Sequence, residues 1–214
     1  MNPLTELIFP IDSKPYGLTY VEWTIKWWQW LLSIPISSNP AFDNAGIYAN
    51  VNQHELSVFF LCQTIEVNKI TPIRKCTINS GKGIFMPIIN WISILYVDGN
   101  SEQEMISTAK EKMDVIDNLQ VTIDDTTITH GLSKYRVASP CFTINLPKDN
   151  ILGHFHSIQS NLNVRAATDG YWIFIKPLEE CKEHHIQTLA SSNSSPTKME
   201  VIYELEIDSQ IDIR

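Results

Sequence analysis

Glycine is scarce, eight in 214 residues, and the eleven prolines follow no repeat, which excludes a collagen-like chain or a flexible linker. No apolar run approaches the roughly 20 residues that a membrane-spanning helix needs. Basic residues number only 16 against 24 acidic ones, are scattered, and leave a formal charge of −8. That balance argues against nucleic acid, whose phosphates call for clustered Lys and Arg. The four cysteines (62, 76, 141 and 181) form no CxxC pair and are too few for a disulfide scaffold. They read as buried small hydrophobes, with one disulfide, Cys62–Cys76, as the alternative. The segment Met1–Tyr16 has neither the basic start nor the continuous apolar stretch of a signal peptide. The expected location is therefore the cytoplasm, unless the numbered chain is the mature form of a secreted protein. No GxSxG elbow, Walker-type glycine loop or EF-hand spacing occurs, and Ser80-Gly81-Lys82-Gly83 reads as a hairpin turn.

What is present begins with a helix over 19–33. Thr19 and Glu22 have the spacing of a capping box, and Trp23, Trp27, Trp30 and Leu31 recur on one face. Ile34-Pro35 ends the helix. A second helix over 101–118 starts at Ser101 with Glu104 three residues on. Residues 1–15 read as an N-terminal extension. The remainder consists of short β-branched and aromatic runs separated by turn signals: 57–63, 73–78, 84–90, 119–123, 126–129, 135–146, 171–175, 184–189 and 201–207, with 91–97 either extending the 84–90 strand or beginning another. Pro87 marks an edge or a bulge, Asp169-Gly170 a turn, and Ser191–Thr197 a hairpin loop. No βαβ alternation appears. The expected fold is a single mainly β domain over 1–214, an antiparallel jelly-roll-like sandwich with two peripheral helices.

The helix motif Tyr20-x-Glu22-Trp23-Thr24-x-Lys26-Trp27-Trp28-Gln29-Trp30 is followed by Ser33-Ile34-Pro35. Further along come Arg74-x-Cys76, Gly81-Lys82, Pro87-Ile88-Ile89-Asn90, Tyr135-Arg136-Val137 and Asp169-Gly170-Tyr171-Trp172. Together they resemble an uncharacterised family of bacterial and archaeal proteins, many of them secreted, with no activity attached. The resemblance runs over residues 16–205 and implies one full-length unit. Two family features are missing here: a cysteine near Ala49–Asn50, and carboxylates after the Pro-Ile-Ile-Asn stretch, where this chain has Trp91–Val97.

Three constellations can carry chemistry. Trp28 lies off the stripe of the other tryptophans, so with Lys26 and Gln29 it can line a groove for a small molecule or glycan; otherwise the helix is an aromatic anchor. Glu22, beside Trp23, is a candidate general acid with a raised pKa, with Asp43 or Asp169 as the second carboxylate of a hydrolase; otherwise it is a capping residue. His154 and His156, two apart on a strand, would share a side and could ligate a divalent metal, though no other feature requires a cofactor. The favoured expectation is a binding or interaction module for a small molecule or carbohydrate. A hydrolase with paired carboxylates or a His-bound metal is the rival, and an assembly subunit or oligomer is a third reading.

Overall fold

The computed structural model describes residues 3–55, 57–65, 71–156 and 163–209, apart from the side chains of 3 and 154–156. In chain order the helices are α1 (Pro3–Leu7), α2 (Tyr20–Ser33), α3 (Glu102–Asp114) and α4 (Ile151–His156). The strands are β1 (Val58–Phe60), β2 (Ile73–Asn79), β3 (Gly83–Ile94), β4 (Asn118–Ile123), β5 (Thr126–Ile128) and β6 (Arg136–Ala138). They continue with β7 (Phe142–Asn145), β8 (Asn163–Ile175), β9 (Glu183–Ser191) and β10 (Lys198–Asp208). The fold is mainly β and forms two five-stranded sheets. One runs β1-β3-β8-β6 with β7 also on β8; the other runs β2-β10-β9-β4-β5. The expectation of purely antiparallel sheets is corrected by two parallel pairs, β1 with β3 and β2 with β10.

The first sheet is covered on both faces, so β3 and β8 are buried almost without alternation over Gly83–Ile89 and Ala166–Ile175. Trp172 and Phe174 point toward α2, meeting Trp27 and Trp23 with ring centroids 5.1 and 5.6 Å apart. Phe85 on β3 stacks on Trp172 at 5.2 Å. The alternate residues Ile84, Met86, Ile173 and Ile175 are fully buried on the opposite side, where β9 and β4 of the second sheet contact β3. Helix α3 packs on β3 and β8 beside that contact. The second sheet alternates buried and open residues along β9 and β10, so its outer face meets solvent.

The sequence-level elements differ from the structure where long-range pairing decides. Of the two alternatives at Pro87 the structure has the bulge, at a register shift inside a central strand, and the run from Trp91 extends that strand to Ile94 and does not begin another. Asp169-Gly170 is not a turn: it lies in the middle of β8, opposite Asn90 and Trp91. The glycine there permits close approach, since a Cβ on Gly170 would lie 2.7 Å from Asn90 Cβ. Ser80-Gly81 carries the chain from one sheet to the other and so is not a hairpin. The N-terminal segment is no mere extension either. Ile8 bridges Ile175, and Phe9 N–H donates to the Phe174 carbonyl at 2.8 Å, extending the row of pairings on the second side of β8. All four cysteines are free, so the Cys62–Cys76 disulfide is not formed. Among the described residues no helix is long and apolar enough to cross a membrane.

Candidate functional site

Helix α2 is built as the sequence implies. The Thr19 hydroxyl accepts from Glu22 N–H, and Glu22 Oε2 accepts from Thr19 N–H and Oγ1–H at 2.7 Å each. Those two donors to the carboxylate hold the Glu22 pKa below its ordinary value. This corrects the general-acid reading, which needs a raised pKa; Glu22 lies at the solvent-exposed helix start and is a cap.

Trp28 does not line a groove. It is 7 % exposed, and its Nε1–H donates to Thr168 Oγ1 at 2.8 Å. The reason is that α2 packs on β6 and β7 as well as β8, so its buried arc is wider than the Trp23–Trp27–Trp30 stripe. Each neighbouring tryptophan also hydrogen-bonds to a carbonyl: Trp23 to Pro15, Trp27 to Leu61 and Trp30 to Val51. Lys26 and Gln29 remain at the surface, beside a small depression of about 230 Å³ that also touches His54 and Glu55. Lys26 pairs with Glu55 at 2.7 Å, and Gln29 donates to the Thr143 carbonyl at 3.0 Å.

The other two carboxylates are held apart from Glu22. Asp43 is buried and accepts from the backbone N–H groups of Ala45, Gly46 and Tyr48 at 2.9, 3.0 and 2.7 Å, which fixes its loop. Asp169 projects from the face of the first sheet opposite α2. There Arg136 grips it through Nε at 3.1 Å and Nη2 at 2.7 Å. Arg136 also reaches Asp114 on α3 at 2.7 Å, and Lys110 and Arg136 together lower the Asp114 pKa. This cluster staples α3 to the sheet, and no acid–base pair is assembled from Glu22, Asp43 and Asp169. The strand on which His154 and His156 were to share a side is absent, because the backbone over Ile151–His156 is helical. The side chains of His154 and His156 lie outside the described residues. Among the described residues no group of three His, Cys, Asp or Glu side chains is arranged to hold a metal.

A broader concavity lies elsewhere, on the outer face of the second sheet, with a volume of about 800 Å³. Residues two apart on a strand share a side, so β2 presents Lys75 and Thr77, and β10 presents Glu204 and Glu206. His185 and Glu183 on β9 pair in register with Glu204 and Glu206. Asp125 at the β4–β5 turn and Lys182 complete the rim. Lys75 Nζ pairs with Glu204 at 2.6 Å, which raises the lysine pKa. Asp124 anchors the hairpin to β9: its Oδ1 accepts from His185 N–H at 3.0 Å, and its Oδ2 lies 2.8 Å from His184 Nδ1. His184 Nε2 faces the Glu179 carbonyl at 3.1 Å, so neither ring nitrogen is free to act as a base. Sequence reasoning missed this surface. Its signal was the alternation of polar residues along 75–77, 183–185 and 204–206, which gains meaning only once β2, β9 and β10 are known to be neighbours.

No family model, curated protein or solved structure matches the chain.

Proposed function

We propose that the protein is a binding module whose ligand occupies the outer concave face of the second sheet. The observation that carries this reading is an open volume of about 800 Å³ on three adjoining strands, whose polar lining residues Lys75, Thr77, Glu183, His185, Glu204 and Glu206 project away from the core. The lining selects a chemistry. It contains Asp125, Glu183, Glu204 and Glu206 against Lys75, Lys182 and His185, and Lys75 is already paired with Glu204. Among the described residues it holds no Phe, Tyr or Trp, so the broad ring that usually stacks on a sugar face is not available; hydrogen bonds and the surplus negative charge do the recognising. A small hydroxylated ligand bearing an ammonium group, such as an amino sugar, fits that inventory better than a neutral glycan. The carbohydrate reading thus moves from the tryptophan helix to the sheet.

The test is isothermal titration calorimetry with glucosamine and glucose on the wild type and on Glu206→Gln. The reading expects saturable binding of glucosamine, weaker binding of glucose, and a several-fold loss of glucosamine affinity in the variant. Equal heats for both sugars, or an unchanged affinity in Glu206→Gln, would remove the charge-based assignment.

A further inference from the structure

The inner face of the same sheet carries a second feature, independent of the groove. Arg74 projects from β2 into the core and is 1 % exposed. Its Nη1 donates to the Cys62 carbonyl at 2.7 Å and to the Tyr203 hydroxyl at 2.9 Å, with Cys62 Sγ at 3.5 Å. Nε and Nη2 are buried and have no hydrogen-bond partner among the described residues. No ion pair among the described residues includes Arg74. The two titratable groups that touch it are a phenol and a thiol, and burial pushes both the Tyr203 and the Cys62 pKa upward, keeping them neutral. Asp43 lies near enough to act on Cys62, but its carboxylate is engaged by the N–H groups of Ala45, Gly46 and Tyr48 and makes no ion pair with Arg74. A guanidinium cannot shed its proton to escape this situation. Buried charges in proteins are paired, because an isolated one is strongly destabilising.

The geometry of the two free nitrogens is informative. Nε–H and the adjacent Nη2–H point in parallel along one edge of the guanidinium, the edge that receives two oxygens of a carboxylate side by side. Arg136 in this protein shows that edge filled, with Nε and Nη2 both on the carboxylate of Asp169. At Arg74 the edge is aimed into the interior instead. Water can satisfy the N–H groups but supplies no counter-charge.

We propose that Arg74 binds a small planar oxyanion, of the formate or bicarbonate type, held side-on by Nε and Nη2 within the core. The surrounding Cys62 and Tyr203 are each 1 % exposed, so the occupant must be small. An anion that binds only the folded chain stabilises it by mass action, by an amount that grows with the logarithm of its concentration once that exceeds the dissociation constant.

The test replaces sodium chloride with sodium formate at constant ionic strength and follows thermal unfolding. Chloride is the reference because it lacks the paired oxygens. In the wild type the melting temperature should rise with the logarithm of formate concentration, by roughly 5–11 °C when formate is about 100-fold above its dissociation constant. Arg74→Lys keeps the charge but lacks the parallel N–H edge and should show no formate-specific rise; Arg74→Met should behave alike. Since these variants remove a core side chain, [13C]formate line broadening on the intact wild type gives a second readout, and saturable broadening is expected. The absence of both a melting shift and broadening in the wild type overturns the site. So does an equal formate response in wild type and Arg74→Lys.

Discussion

Gly170→Ala isolates the closeness of β3 and β8, on which both faces of the first sheet depend. A Cβ at this position would come within 2.7 Å of Asn90 Cβ, 2.8 Å of Asn90 Cα and 2.8 Å of the Ile89 carbonyl oxygen. None of these is the mobile end of a long side chain, so relief requires the strands themselves to separate. Separation is resisted from both sides, because Gly170 pairs with Asn90 on β3 and with Val137 on β6. Overpacking of this kind costs about 1–3 kcal/mol, and the upper half of that range applies where backbone must move. Replacing glycine also stiffens the unfolded chain, which returns about 0.4–1 kcal/mol. The net loss is therefore about 2 kcal/mol, or roughly 4–8 °C in melting temperature for a chain of this size. Urea unfolding with an unchanged m-value and a lowered midpoint is the expected result. A Gly170→Ala protein as stable as wild type, within about 0.5 kcal/mol, would refute the close approach.

Four further outcomes follow from the side-chain geometry. Thr19→Ala should cost about 1 kcal/mol by removing the N-cap of α2, measured by urea unfolding. Because the folded-state pKa of Glu22 is depressed, its contribution is present above its ordinary value of 4.5 and fades as pH falls through the lower folded value. The stability gap between wild type and Glu22→Gln should accordingly close on acidification. Trp28→Phe should lower stability by roughly 1–3 kcal/mol through the lost Thr168 hydrogen bond and the lost volume, while leaving ligand titrations at the second sheet unchanged. In thiol labelling, Cys181 is exposed and should react first, whereas Cys62 is buried and Cys76 has its pKa pushed up to about 12 by burial. A fast phase that survives Cys181→Ser would contradict this order.

Local chemistry was legible and long-range pairing was not. The capping box, the proline stop of α2 and the Asp124-Asp125 turn are set within a few residues, and the structure has each of them. The strand runs were visible as apolar stretches, yet nothing local says that β1 runs parallel to β3 or that β2 joins β10 across more than a hundred residues. The Asp169-Gly170 pair has the composition of a turn; only the partner strand explains it, through the Arg136 ion pair and the crowding by Asn90. Trp28 illustrates the limit of helical periodicity. A stripe calculation assumes a narrow seam, whereas α2 meets β6 and β7 as well as β8. The candidate site followed the same rule. Lys26 and Gln29 stayed at the surface as expected, but the broad polar face arises from three strands far apart in sequence.

The central claim is that the ligand surface is the outer face of the second sheet and not the tryptophan helix. A 1H–15N correlation titration of the isotopically labelled protein with glucosamine tests it most directly. Shifts concentrated at Lys75, Thr77, His185, Glu204 and Glu206 are the predicted result. Shifts clustered instead at Lys26, Gln29 and His54, with the second sheet silent, would contradict it.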